Sequence, residues 1–197
     1  MATPLNPQEI YLLERYSSLL YFGEMRDHFA AMVQAANDAL AKFMQNLPPD
    51  YRDRPLHEQP DAVWGERVLP NLQWTLKGLN DGYIDLSRGD WGALSMAGNV
   101  STAFAGISRD YPWDWMPEPF QSLYDVQRRL CSQSSFNISL TSLAQWRPGS
   151  LTARYTDDNR GPLAPPPSWP QYRPAPSIRV MTDEKVPSNG VYLPDIG

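Results

Sequence analysis

A chain of 197 residues, 42% of them apolar, is long enough to bury one sizeable core, and its length sets an expectation of a single domain. Its net charge of −5 and pI near 5.0 come without a basic stripe, which disfavours direct nucleic-acid binding. One cysteine, Cys131, allows no internal disulfide, and no run approaches the length of a membrane span, so the expected setting is soluble and cytoplasmic.

The first helix signal is Asn6-Pro7-Gln8-Glu9. Asn6 can cap, Pro7 suits the first helical position, and Glu9 stands where a capping-box acid reaches back. Ile10, Leu13 and Leu20, with Tyr11, Tyr16, Tyr21 and Phe22, give a broad apolar face, which Gly23 is placed to kink or interrupt. The pattern resumes at Met25, Phe29, Met32, Ala36, Leu40, Phe43 and Leu47, close to a heptad seam that could serve a core or a homodimer. Pro48-Pro49 ends it, and a proline-rich acidic loop leads to Asp61, the expected cap of a short helix through Trp64 and Val68.

The next stretch predicts a helical hairpin, the expected centre of the fold. Leu72, Leu76, Leu79, Tyr83 and Leu86 share one face of its first helix. Gly89 suits a left-handed stop and Asp90 the following N-cap. The second helix carries Leu94, Ala97, Val100, Phe104 and Ile107 on one side and small residues, including Ser95, Thr102 and Gly106, on another. An acidic aromatic loop, Asp110-Tyr-Pro-Trp-Asp-Trp-Met-Pro-Glu118, separates the hairpin from a helix through Phe120, Leu123, Val126 and Leu130. Residues 134–146 read either as a strand, from Asn137-Ile-Ser-Leu, or as a short helix, from Leu140, Leu143 and Trp146. Half of the 20 prolines fall from Pro148 onward, so residues 1–147 are expected to form the bundle and 148–197 an extended arm. Trp169 and Tyr172 suggest that this arm lies on the bundle, and Ser188-Asn189-Gly190 suggests a terminal hairpin.

Chemistry is thinly represented. His28 and His57 lack the spacing of metal ligands, no Gly-x-Ser-x-Gly elbow occurs, and no glycine-rich phosphate loop follows a strand. No metal, cofactor or catalytic residue is expected. Asp81 and Asp85, four residues apart on one helix, read either as a solvated acidic stripe or as a general acid–base pair. The loop is the sharpest feature: Tyr111, Trp113 and Trp115 are residue types enriched at interface centres, and Asp110, Asp114 and Glu118 would meet a basic surface. The same tryptophans could instead cap the core.

The segment Leu76-Lys-Gly-Leu-Asn-Asp-Gly-Tyr-Ile-Asp-Leu-Ser-Arg-Gly-Asp90 and the small-residue helix after it resemble helical immunity proteins of bacterial polymorphic-toxin systems. Arg15-Tyr-Ser-Ser-Leu-Leu-Tyr21 and Val186-Pro-Ser-Asn-Gly-Val-Tyr-Leu-Pro-Asp195 strengthen the likeness, whereas the proline-rich stretch from 148 to 180 has no counterpart in it. The resemblance implies a cytoplasmic, non-enzymatic antitoxin that neutralises a toxin of the same bacterium, often a nuclease delivered by type VI or contact-dependent secretion. An acidic inhibitor would be steered onto a basic toxin. The expected fold is therefore an all-α bundle of five to six helices with a proline-rich arm, monomeric or homodimeric. The expected partner surface comprises Asp110, Tyr111, Trp113, Asp114, Trp115 and Glu118, extended by Asp81, Asp85 and Asp90. The alternative is an adaptor or secretion chaperone that recruits another protein through the arm.

Overall fold

Asn6 starts the first helix as its residue type predicts: its side chain accepts a hydrogen bond from the Gln8 amide at 3.0 Å, with Pro7 just inside. The computed structural model describes residues 6–141, 147–163, 165–173, 175–181, 183–187 and 191–192, with the side chains of 108–110 left aside. Six α-helices run through them: α1 (Pro7–Tyr16), α2 (Leu19–Met44), α3 (Leu69–Ser87), α4 (Gly98–Asp110), α5 (Phe120–Ser139) and the single turn α6 (Asp157–Arg160). No strand occurs among the described residues, and the fold is all-α.

The break between the first two helices falls at Ser17-Ser18, ahead of the glycine expected to cause it. Ser17 Oγ donates to the Leu13 carbonyl at 2.6 Å, and Ser18 Oγ accepts from the Tyr21 amide at 3.1 Å. These serine bonds end one helix and cap the next. Gly23 instead continues α2 and admits the ring of Tyr83, which a Cβ there would approach at 3.1 Å.

α2 is the helix that organises the bundle, lying between α3 and α5. Phe22, Met25, Phe29, Met32 and Ala36 are fully buried, and Phe29 stacks on Phe104 of α4 at 5.9 Å between ring centres. The seam suggested as a homodimer contact is thus consumed within the chain. The predicted hairpin forms beside it. Gly89 adopts φ +91°, and Asp90 Oδ1 accepts from the Gly92 amide at 2.9 Å. A tight 3₁₀ segment, Trp91–Ala97, then precedes α4. Ahead of α3, Asp61–Val68 winds as a wider π-helical segment.

Residues 134–139 belong to α5. Leu143 and Trp146, which favoured a helical continuation, lie outside the described residues, as does the turn at Ser188–Gly190. The segment after Arg147 packs on the helices: Leu151 is fully buried and Arg160 is 4% exposed. Glu9, expected to reach back towards Asn6, is buried at the junction of the two ends of the body. Its carboxylate accepts from the Leu151 amide (2.9 Å), the Thr152 amide (3.1 Å) and Thr152 Oγ1 (2.9 Å). Three donors satisfy a charge that burial would otherwise penalise.

The proline-rich strip touches the body through Trp169, edge-on to Tyr11 at 5.7 Å, and through Tyr172, whose hydroxyl donates to Glu14 at 2.7 Å. Partial burial and the Glu14 carboxylate push the Tyr172 phenol up from 10.0 to about 12. The folded value lies above the unfolded one, so this contact contributes fully below pH 10 and is lost as pH rises through about 12. Subtracting the ultraviolet titration of a Tyr172→Phe variant from that of the wild type should isolate an ionisation near pH 12. A midpoint at 10 would place this phenol in free solvent.

Candidate partner-binding surface

The acidic aromatic loop is held by the body more than it is displayed. Trp64, buried in the π-helical segment, donates from Nε1 to the Pro112 carbonyl at 3.0 Å. Its ring meets Trp115 at 5.6 Å and Tyr124 at 5.8 Å, both edge-on, and Trp115 meets Phe43 at 5.7 Å. Trp113 packs on Tyr124 and donates from Nε1 to Asp125 at 2.8 Å. Arg128 places its guanidinium 4.8 Å from both Trp113 and Phe104, a cation–π clamp across the loop and α4. Met116 is buried, and burial pushes the Tyr124 phenol far above its ordinary range. Both loop tryptophans are therefore half-buried and engaged with the chain itself. The charged side chains the loop offers to solvent are those of Asp114 and Glu118, the latter accepting from Ser122 Oγ at 2.9 Å. Tyr111 lies half-buried beside α4, and the side chain of Asp110 is outside the described residues.

The other predicted residues sit elsewhere. The loop packs at the N-terminal end of α3 through Trp64, whereas Asp81, Asp85 and Asp90 occupy its C-terminal end and the following turn. The axial rise of a helix puts Asp85 roughly 24 Å along α3 from Leu69, so the predicted residues whose side chains are described form two patches. In the second patch Asp81 pairs with Lys77 at 2.6 Å, Asp85 is exposed, and Asp90 caps the turn. Three large apolar side chains that residue spacing did not single out are also exposed along this end of α3 and the segment after it: Ile84 (44% exposed), Trp91 (42%) and Met96 (40%). Met96 is held over α3 by Gly82, whose absent Cβ would lie 3.2 Å from Met96 Cγ.

Trp74, 74% exposed on α3, is a further surface ring. The signal for it was present in the sequence, since it falls out of phase with Leu72, Leu76 and Leu79 and in phase with Lys77, Gly78 and Asp81. His28, by contrast, bonds Gln127 at 2.8 Å through Nδ1, and Cys131 is fully buried, its thiol pushed up by desolvation. Among the described residues no three histidine, cysteine or carboxylate side chains converge as a metal site, and no helix is long and apolar enough to cross a membrane. Comparison with protein-family models, curated proteins and solved structures found no match.

Proposed function

We propose that this chain is a protein-binding inhibitor of the immunity type, acting in the cytoplasm on a basic toxin without chemistry of its own. The observation that carries this reading is the exposure of Ile84, Trp91 and Met96 on the end of α3 and the following segment, which also bear Asp81, Asp85 and Asp90. Large apolar side chains on a folded surface supply desolvation energy on binding, and the carboxylates around them steer a cationic partner and fix its register. The chain's net charge of −5 acts in the same direction. Asp114 and Glu118 give the loop end a second, weaker acidic contact. The Leu76–Asp90 segment that resembles immunity proteins contains Asp81, Ile84, Asp85 and Asp90 of this patch.

The test is capture from lysate of the source organism at high salt, followed by co-expression with the captured partner. A single stoichiometric partner with a basic toxin domain is expected, and the wild-type chain should restore growth to cells expressing it. An Asp85→Lys, Trp91→Ala variant should bind at least about 30-fold more weakly, the scale of a lost hot spot. Equal binding by this variant would remove the patch from the interface, and failure to restore growth would end the antitoxin reading.

The adaptor reading draws on one observation: Pro165, Pro167 and Pro170 are exposed on a strip held to the body by Trp169 and Tyr172. A strip restrained in this way loses little entropy on entering an aromatic groove.

A further inference from the structure

Seven of the 18 residues from 161 to 178 are proline, so this stretch suits neither a helix nor a sheet. Among the described residues, 165–173 make no backbone–backbone hydrogen bond, as in a polyproline II chain, whose period is three residues. Burial along the strip follows that period. Leu163 and Pro166 are half-buried, the chain bends at Pro167-Ser168, and Trp169 and Tyr172 then meet Tyr11 and Glu14 of α1. One edge of the strip thus lies on the body. Pro170 and Arg173, three apart on another edge, are exposed, as is Gln171 on the third. We propose that this strip is a ligand presented on the body for a second protein, one whose aromatic-lined groove takes Pro170 and whose acidic pocket takes Arg173.

The proposal rests on the adaptor reading and names its partner by charge and shape. Arg173 is the only charged residue between 161 and 178, on a chain that carries −5. It makes no ion pair among the described residues. A basic toxin is steered to the carboxylates elsewhere on the surface and gains nothing at this cation, whereas an acidic groove is attracted to it. A carboxylate also matches the two-pronged guanidinium. The prolines select the aromatic groove, because a polyproline II chain is read through its projecting edges and its fixed φ lowers the entropy lost on binding. The contacts of Trp169 and Tyr172 with α1 add a second restraint of the same kind. Of the three edges, the body occupies one, and the other two stay open to a groove without release of the strip. The chain can then hold two proteins of opposite charge, a basic one at the acids of α3 and an acidic one at Arg173.

The test is calorimetric titration of the full chain with a panel of purified SH3 and WW domains, among them SH3 domains with acidic residues beside the groove. A domain with an acidic rim should bind, and Arg173→Glu and Pro170→Ala should each weaken that binding about 10-fold or more, the scale of a lost charged hydrogen bond. Both positions are exposed, so both variants should keep the wild-type circular dichroism and Tm. Neutralising the acids of the bound domain should weaken the wild type and erase the difference made by Arg173→Glu. Absence of binding across the panel would overturn the adaptor reading and this proposal together. Binding that both variants retain with unchanged affinity would leave the adaptor reading standing and overturn the assignment of Pro170 and Arg173.

Discussion

Replacing Trp64 with alanine is expected to lower the unfolding free energy by about 3–5 kcal/mol, as for other buried aromatic truncations. Trp64 is 1% exposed and touches the rings of Trp115 and Tyr124, and its Nε1 holds the Pro112 carbonyl. Truncation opens a cavity under three elements at once and removes the bond that fixes the start of the acidic loop. For a chain of this size each kcal/mol moves Tm by about 2–4 °C, so a drop of at least roughly 6 °C should appear in a thermal melt. Trp91→Ala, at a 42% exposed ring, is the control and should stay within about 0.5 kcal/mol of the wild type. If Trp64→Ala melts with the control, the aromatic cluster does not hold the loop. Trp115→Ala shares this logic. Its ring lies between Phe43 and Trp64, so loss of stability is expected to precede any effect on a partner.

The second large effect is expected at Asn137, fully buried on α5. Its Nδ2 donates to Tyr21 Oη at 2.7 Å and to the Arg160 carbonyl at 2.9 Å, while its Oδ1 accepts from Arg160 Nε. Arg160 is itself almost wholly buried, with its guanidinium 4.9 Å from the Tyr155 ring centre and 5.5 Å from that of Tyr16, and its Nη2 has no hydrogen-bond partner. Asn137→Leu preserves most of the volume but strips this cation of its best acceptor. Breaking a buried charge–dipole set in this way should cost about 3–5 kcal/mol. Adding Arg160→Met removes the stranded charge and should return about 1–2 kcal/mol, within the range of coupling between contacting residues. Urea unfolding of the single and double variants gives the coupling directly. Strict additivity would mean that Asn137 and Arg160 act independently.

The parts of this fold that could be read from sequence are those governed by neighbours along the chain. Asn6-Pro7 and Gly89-Asp90 specify their helix ends through local hydrogen bonding and φ, and both appear as expected. The Ser17-Ser18 signal is equally local: two adjacent hydroxyls compete for backbone groups and end α1 there, whereas Gly23 continues α2. Glu9 was illegible because its donors lie 142 and 143 residues away. A carboxylate three residues after an N-cap has the same signature whether it folds back or turns inward. The loop tryptophans were ambiguous for a different reason, since an indole suits a core and an interface alike and only the positions of Phe43, Trp64 and Tyr124 decide between them. Asp81, Asp85 and Asp90 were grouped with the loop because composition carries no distance; α3 separates the two sets. Trp74 could have been found, since an aromatic ring out of phase with its own helix has to be explained by something beyond the core.

The Glu9 contacts also tie the first helix to a segment more than 140 residues further along the chain, so closing them carries the entropic cost of a long loop and lengthens the mean sequence separation of the contacts that hold the body together.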